Sequence, residues 1–260
     1  MSLKNKKKFR KTYKNFTLEH IVHIFEDAKL TAEAVANKIL ELSIDKKSKS
    51  QFFNIAVSGG STPKQLFELM ASDKFASLMP WEIIRLFWVD ERCVEPTDSE
   101  SNFGMTYDAL LHHHYIPVDN IFRMRGEDLP ADEIIEYSNV LKKELSERNG
   151  FPVFDLILLG MGDDGHTASI FSNSMELLNS DKSVEVGTHP VTGQKRITLT
   201  GKTINNADLV VFLITGKNKA EILNSIIKKK PDSLKYPASF VGNYLGEVEF
   251  YIDKSASSNI

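Results

Sequence analysis

The chain has 260 residues, 42% of them hydrophobic and 26% charged, with a formal net charge of −3 at pH 7. This is the profile of a globular protein able to bury a core without disulfides, as one large α/β domain or two small ones. The single cysteine, Cys93, excludes an intrachain disulfide framework and a cysteine-pair zinc site, and no apolar run approaches the ~18 residues of a membrane span. A reducing, cytoplasmic setting is expected.

The first fourteen residues hold seven bases (Lys4, Lys6, Lys7, Lys8, Arg10, Lys11 and Lys14) and no acid. A solvated, disordered tail over residues 1–17 is the expectation, with an anionic-surface contact or a transit segment as the sharper alternative. No apolar signal core follows it. Residues 27–42 carry alanines and leucines at helical spacing. FFNIAV (52–57) then reads as a short buried strand running into Ser58-Gly59-Gly60-Ser61-Thr62-Pro63, with a helix over 64–71. Thr62 suits an N-cap and Pro63 the first helical position.

IIRLFWV (83–89) is a second apolar run, ending in Asp90-Glu91-Arg92. A polar loop follows, then Ser101-Asn102 and a helix expected through His112, a short strand over 121–124, and a charged surface helix over 131–148. LILL (156–159) has the unbroken apolar character of a strand covered on both faces. Gly160-Met161-Gly162-Asp163-Asp164-Gly165-His166 follows at once. Residues 196–199 are a candidate strand, LVVFLI (209–214) a clear one, 217–227 a helix, and 248–252 a candidate edge strand. Strands alternate with helices and no internal repeat is present, which predicts one doubly wound, mostly parallel α/β domain over 18–254 with helices on both faces. A small β-rich addition is expected over 172–200, and residues 255–260 as a loose tail.

Four loops follow strands, where open α/β sheets bind ligands. The turn of Ser58, Gly59, Gly60, Ser61 and Thr62 is the best phosphate cradle, because N–H groups at a helix start carry partial positive charge and glycines admit close approach. It lacks the ending of a Walker loop, and GMGDDG matches a dinucleotide turn only by spacing. Arg92 belongs at the cleft rim, where its flat fork suits a phosphate or a carboxylate; a surface salt bridge is the bland alternative. Lys219 sits near a helix start, where an anionic ligand would explain it, and Arg196 is a weaker candidate of the same kind. His166, amid glycines and acids, reads as a cleft residue rather than a turn-capping histidine. His112-His113-His114 does not share one helix face and gives no metal site.

These segments form a set. SGGSTP, WVDERCV with Ser101-Asn102 behind it, GMGDDGHTASIF, RITLT and TGKNKA occur in that order. Together they resemble the 6-phosphogluconolactonase family over roughly residues 25–250. Deaminases of the wider superfamily carry DEY and a histidine followed by Ile-Ala-Phe; Arg92 and Thr167-Ala168-Ser169 favour the lactonases. Ser172 departs from the proline usual there. The resemblance implies a modified Rossmann-like sheet, no cofactor, no metal and a small-molecule partner, the δ-lactone of 6-phosphogluconate, handled in the oxidative pentose phosphate pathway. By carry-over, His166 is the base that activates water, and Ser58, Gly59, Gly60, Ser61, Thr62, Arg92 and Lys219 hold the phosphate, with Arg196 the weaker candidate beside them. Asp164 either orients His166 or merely forms the turn, and the amides of Gly162 and Gly165 are candidates to meet the oxyanion. A glucosamine-6-phosphate deaminase or aldose–ketose isomerase is the alternative activity, and a non-enzymatic sugar-phosphate sensor the second. The ~25 residues before the first helix are too few for a helix-turn-helix, so no nucleic acid is expected. Neither is a membrane, and the chain is expected to be a monomer or weak homodimer.

Overall fold

The computed structural model describes residues 6–13, 16–242 and 247–260. Strands β1 (Lys6–Tyr13) and β2 (Phe16–Phe25) open the chain, followed by α1 (Ala28–Ser48), β3 (Phe53–Val57), α2 (Ser61–Ala71) and the single turn α3 (Asp73–Ala76). Next come β4 (Ile84–Trp88), β5 (Asp90–Arg92), α4 (Asn102–Ala109), β6 (Ile121–Phe122) and α5 (Pro130–Glu144). A small hairpin of β7 (Glu147–Arg148) and β8 (Phe151–Pro152) leads to β9 (Leu156–Leu159). The chain ends with β10 (Val184–Thr188), β11 (Lys195–Leu199), α6 (Gly201–Asn205), β12 (Leu209–Ile214), α7 (Ala220–Ile227) and β13 (Glu247–Asp253).

Among the described residues the main sheet has eight strands in the order β1-β2-β13-β12-β9-β3-β4-β6. All neighbours pair parallel except β1 with β2. This is the doubly wound, mostly parallel Rossmann-like sheet. Side-chain alternation explains its two covered faces. Leu156 and Leu158 of β9 pack into one apolar cluster with Val35, Ile39 and Leu66 of the α1–α2 side. Ile157 and Leu159 face the opposite cluster, with Tyr137 and Leu141 of α5 and Leu223 of α7. Strand β12 divides its residues in the same way. Each such side chain taken fully out of water contributes roughly 1.5–3 kcal/mol.

The chain leaves β3 through α2 to β4 on one side, and returns through α5 to β9 on the other. The carboxyl ends of β3 and β9 are therefore a topological switch point, where a crevice opens. Strands β10, β11 and β5 form a separate antiparallel sheet, the β-rich addition expected over 172–200.

Four expectations are corrected. The basic segment is not a loose tail: residues 6–13 pair along their whole length with β2, while residues 1–5 and 14–15 lie outside the described residues. Strand β13 is not at an edge but lies between β2 and β12. Residues 255–260 are tied down rather than loose: Ala256 is fully buried and donates its N–H to Asp253 Oδ1 at 2.7 Å. Helix α2 starts at Ser61 with Gly60 as N-cap, so Thr62 and Pro63 are the second and third helical residues. Proline is still harmless there, because the first four N–H groups of a helix have no intrahelical acceptor.

Candidate active site

A cavity of about 450 Å³ lies over the carboxyl ends of β4, β3, β9 and β12. It is lined by the 58–63 turn, Arg92, Gly160–Asp163, His166, Arg196, Asn218 and Lys219. Five loops far apart in sequence meet there because their strands are neighbours in one sheet or, for Arg196, because β11 pairs with β5. Cross-strand register sets Arg196 opposite Arg92.

The His166 loop is built from its own backbone. Gly162 donates its N–H to the carbonyl of His166 at 2.9 Å, and Gly165 donates to the carbonyl of Gly162 at 3.1 Å. Both amides are thus spent inside the loop, which corrects their assignment as oxyanion donors. Gly165 also lies outside the cavity lining and against Tyr236. Gly162 serves differently: the absence of a side chain leaves the space that the imidazole fills.

His166 Nδ1 stands 2.5 Å from Asp164 Oδ1, which also accepts the His166 N–H at 3.1 Å. The hydrogen bond from His166 holds the Asp164 carboxyl down to about 2, against the desolvation that would raise it. An ionised carboxylate only accepts, so in neutral imidazole Nδ1 carries the proton and Nε2 the lone pair. Asp164 does not itself line the cavity. The Phe171 ring supports the imidazole, with centroids 4.6 Å apart, and the Arg196 guanidinium lies 5.5 Å from the same ring.

The glycine turn differs in detail from a simple phosphate cradle. The Ser58 hydroxyl is buried and donates to the Leu158 carbonyl at 3.0 Å, tying β3 to β9. Its hydroxyl proton is therefore committed to the β3–β9 seam, while Ser58 itself still lines the cavity. Thr62 Oγ1 pairs with Thr215 Oγ1 at 3.1 Å, binding the turn to the loop after β12. A side chain on Gly59 would collide with the Asn102 amide, 1.8 Å from its β-carbon position. Gly60 and Ser61 remain at the helix start, where N–H groups face outward.

The cationic residues are held differently from one another. Arg92 donates to the Glu100 carbonyl, and its Nε is buried without a partner inside the protein. Arg196 donates from Nε to Gln194 at 3.2 Å; burial and then the charge of Arg92 push its guanidinium down from its ordinary value. Two like charges kept side by side at a cavity wall make a strong attractor for an anion. Lys219 Nζ is in contact with Asp163, whose Oδ1 also accepts from Asn218 Nδ2 at 2.8 Å.

Asp90 and Asn102, quoted above only as motif residues, also line the cavity. Asp90 is buried and accepts from the Ser169 hydroxyl at 2.6 Å and from Asn102 Nδ2 at 3.3 Å. Glu91 caps the start of α4, accepting from the N–H groups of Asn102 at 2.7 Å and Phe103 at 2.8 Å and from the Ser101 hydroxyl at 3.1 Å. Burial pushes its carboxyl up, and the backbone donors oppose that. The sequential pair Asp90-Glu91 thus works in two directions: one carboxylate braces the cavity wall and the other anchors the helix that carries Asn102. Among the described residues, no group of three side chains is arranged to hold a metal ion.

With this sheet, switch point and cavity, the chain belongs to the glucosamine-6-phosphate isomerase/6-phosphogluconolactonase family, which it matches over residues 26–249. It is an enzyme of that family, and its relatives narrow the branch. The 6-phosphogluconolactonase of Treponema pallidum is 44% identical over 204 residues, covering 78% of this chain and 83% of the relative. That of Haemophilus influenzae is 38% identical over 226 residues, covering 87% and 95%. The solved structure of 6-phosphogluconolactonase from Trypanosoma brucei superposes with a TM-score of 0.83 at 30% identity, covering 92% of this chain and 98% of that one.

Proposed function

We propose that this enzyme hydrolyses 6-phospho-D-glucono-1,5-lactone to 6-phosphogluconate in the oxidative branch of the pentose phosphate pathway, with His166 as general base. The observation that carries the reading is the Asp164–His166 pair, whose imidazole lines the same cavity as the glycine turn, Arg92, Arg196 and Lys219. A sugar-phosphate lactone has an anion at one end and an ester carbonyl at the other, and this cavity offers positive charge and a base within one enclosure.

Nε2 of neutral His166 takes a proton from water as the water oxygen bonds to C1 of the lactone. The carbonyl π pair moves onto its oxygen, then returns as the C1–ring oxygen bond breaks. The imidazolium delivers the proton to the departing ring oxygen, which becomes the C5 hydroxyl. Asp164 keeps the ring in the required tautomer and stabilises the transient positive charge. The product acid then ionises and releases one proton to solvent. The phosphate, gripped at the α2 N-terminus and by Lys219 with the arginine pair, fixes the carbonyl near the base, so remote binding energy lowers the barrier.

The test is proton release on adding freshly prepared 6-phosphogluconolactone, measured against spontaneous hydrolysis. Acceleration by the parent chain and its loss in His166→Ala support the reading. A His166→Ala variant that keeps near-normal turnover removes His166 from the mechanism.

A further inference from the structure

Lys219 is not waiting as a bare cation. Its ammonium is in contact with Asp163, and the Asn218 amide donates to the same carboxylate oxygen at 2.8 Å. Two donors from the turn Lys217–Lys219 thus converge on one anionic oxygen, as they would on a phosphate oxygen. The Lys219 side chain is 17% exposed, whereas that of Asp163 is 69% exposed. Most of Asp163 therefore stands in solvent and only its tip enters the donor pair, so it can swing away without unpacking any core. The two acids of this loop also differ: Asp164 is fastened to His166, whereas the Asp163 carboxylate is held by Asn218 and Lys219 of the cationic turn.

We propose that Asp163 is a specificity-determining residue, an internal anion that occupies the Lys219–Asn218 donor pair until a substrate phosphate displaces it. This rests on the reading of the cavity as a sugar-phosphate site. A monoanionic or weakly held ligand does not outcompete a tethered carboxylate; a phosphate dianion, with more charge and three acceptor oxygens, does. After hydrolysis the carboxylate returns and helps expel the phosphorylated product. Asp163 thereby trades affinity for turnover and keeps a half-buried lysine neutralised between cycles.

The experiment is a two-by-two set: the parent, Asp163→Ala, Lys219→Ala and the double variant, each titrated with inorganic phosphate as a competitive inhibitor and with 6-phosphogluconate. Asp163→Ala should tighten both by about 3- to 10-fold, the scale of a partly buried ion pair. It should lower KM for the phosphorylated lactone, with release of 6-phosphogluconate slowed. In the Lys219→Ala background the same substitution should change phosphate affinity by less than about 2-fold, because the coupled partner is gone. Asp163→Asn should fall between parent and Asp163→Ala. If Lys219→Ala weakens phosphate but Asp163→Ala does not tighten it, the displacement proposal is overturned while the phosphate site stands. If Lys219→Ala leaves phosphate affinity unchanged, both fall together.

Discussion

A β-carbon on Gly162 would stand 2.1 Å from His166 Nδ1 and 2.6 Å from Asp164 Oδ1. The residue lies on the cavity wall with its amide already engaged, so its contribution is room. The Gly162→Ala variant should fold normally and lose turnover by roughly 10- to 100-fold, since the imidazole must shift to clear the methyl group. Steady-state kinetics alongside a thermal melt separates the two effects. Full activity with an unchanged melt would show that the histidine tolerates displacement.

Asp164 is ionised far below neutral pH because His166 donates to it. Removing that charge takes away the acceptor that keeps the proton on Nδ1 and the lone pair on Nε2. Asp164→Asn should therefore reduce turnover by about 10-fold or more through loss of the preferred tautomer. Steady-state kinetics measures it; an Asp164→Asn variant with parental turnover would make Asp164 a turn-former and nothing else. His166→Ala should lower kcat by about 10²–10⁴-fold with little change in substrate affinity.

The glycine turn, Arg92, Lys219 and the His166 loop are legible in the sequence because each comes after an apolar run, whereas Arg196 lies within β11 and reaches the cavity through the pairing of β11 with β5. The direction of individual groups is not. Whether the Gly162 N–H faces a ligand or the His166 carbonyl depends on how the loop closes, and no residue type encodes that. That the Ser58 hydroxyl is spent on the Leu158 carbonyl follows from the β3–β9 pairing, which no local motif encodes. The Asp90–Asn102–Ser169 network joins three segments through space, and adjacency in sequence gave only Asp90-Glu91. The basic opening strand was hidden by its lysines, which suit an edge strand as well as a free tail.

Arg92→Ala and Lys219→Ala should each weaken the phosphorylated lactone far more than plain gluconolactone. A rise in KM of about 10- to 100-fold for the first substrate, with turnover of the second nearly unaltered, is the expected pattern for lost charge-assisted contacts. Parallel kinetics on the two lactones decides it; equal losses on both would place these side chains elsewhere in the reaction.

A separate cluster governs acid stability. Glu249 of β13 is nearly buried, yet His23 at 3.1 Å, Tyr251 at 2.8 Å and Lys38 at 3.2 Å surround it. Burial alone would raise its carboxyl, but these partners more than offset that and hold it at about 2. The folded value lies below the unfolded one, so the stabilisation is complete above the unfolded carboxyl range and drains away as pH falls toward the folded value. Glu249→Gln should cost on the order of 2–3 kcal/mol near neutral pH, and the gap to the parent should close as pH drops from about 5 toward about 2. Denaturant titrations at several pH values measure it; a gap constant with pH would mean the loss is one of packing.

Asp253, the last residue of β13, accepts the Gly216 N–H with both carboxylate oxygens, at 3.1 and 3.2 Å, as well as the Ala256 N–H. Gly216 opens the turn that delivers Asn218 and Lys219. Strand β13 is thus a foundation stone for the cationic side of the pocket, placed there by topology although it lies far along the chain from the histidine loop. A chain cut short of Asp253 would emerge from the ribosome with its histidine loop complete and its anion grip unsupported.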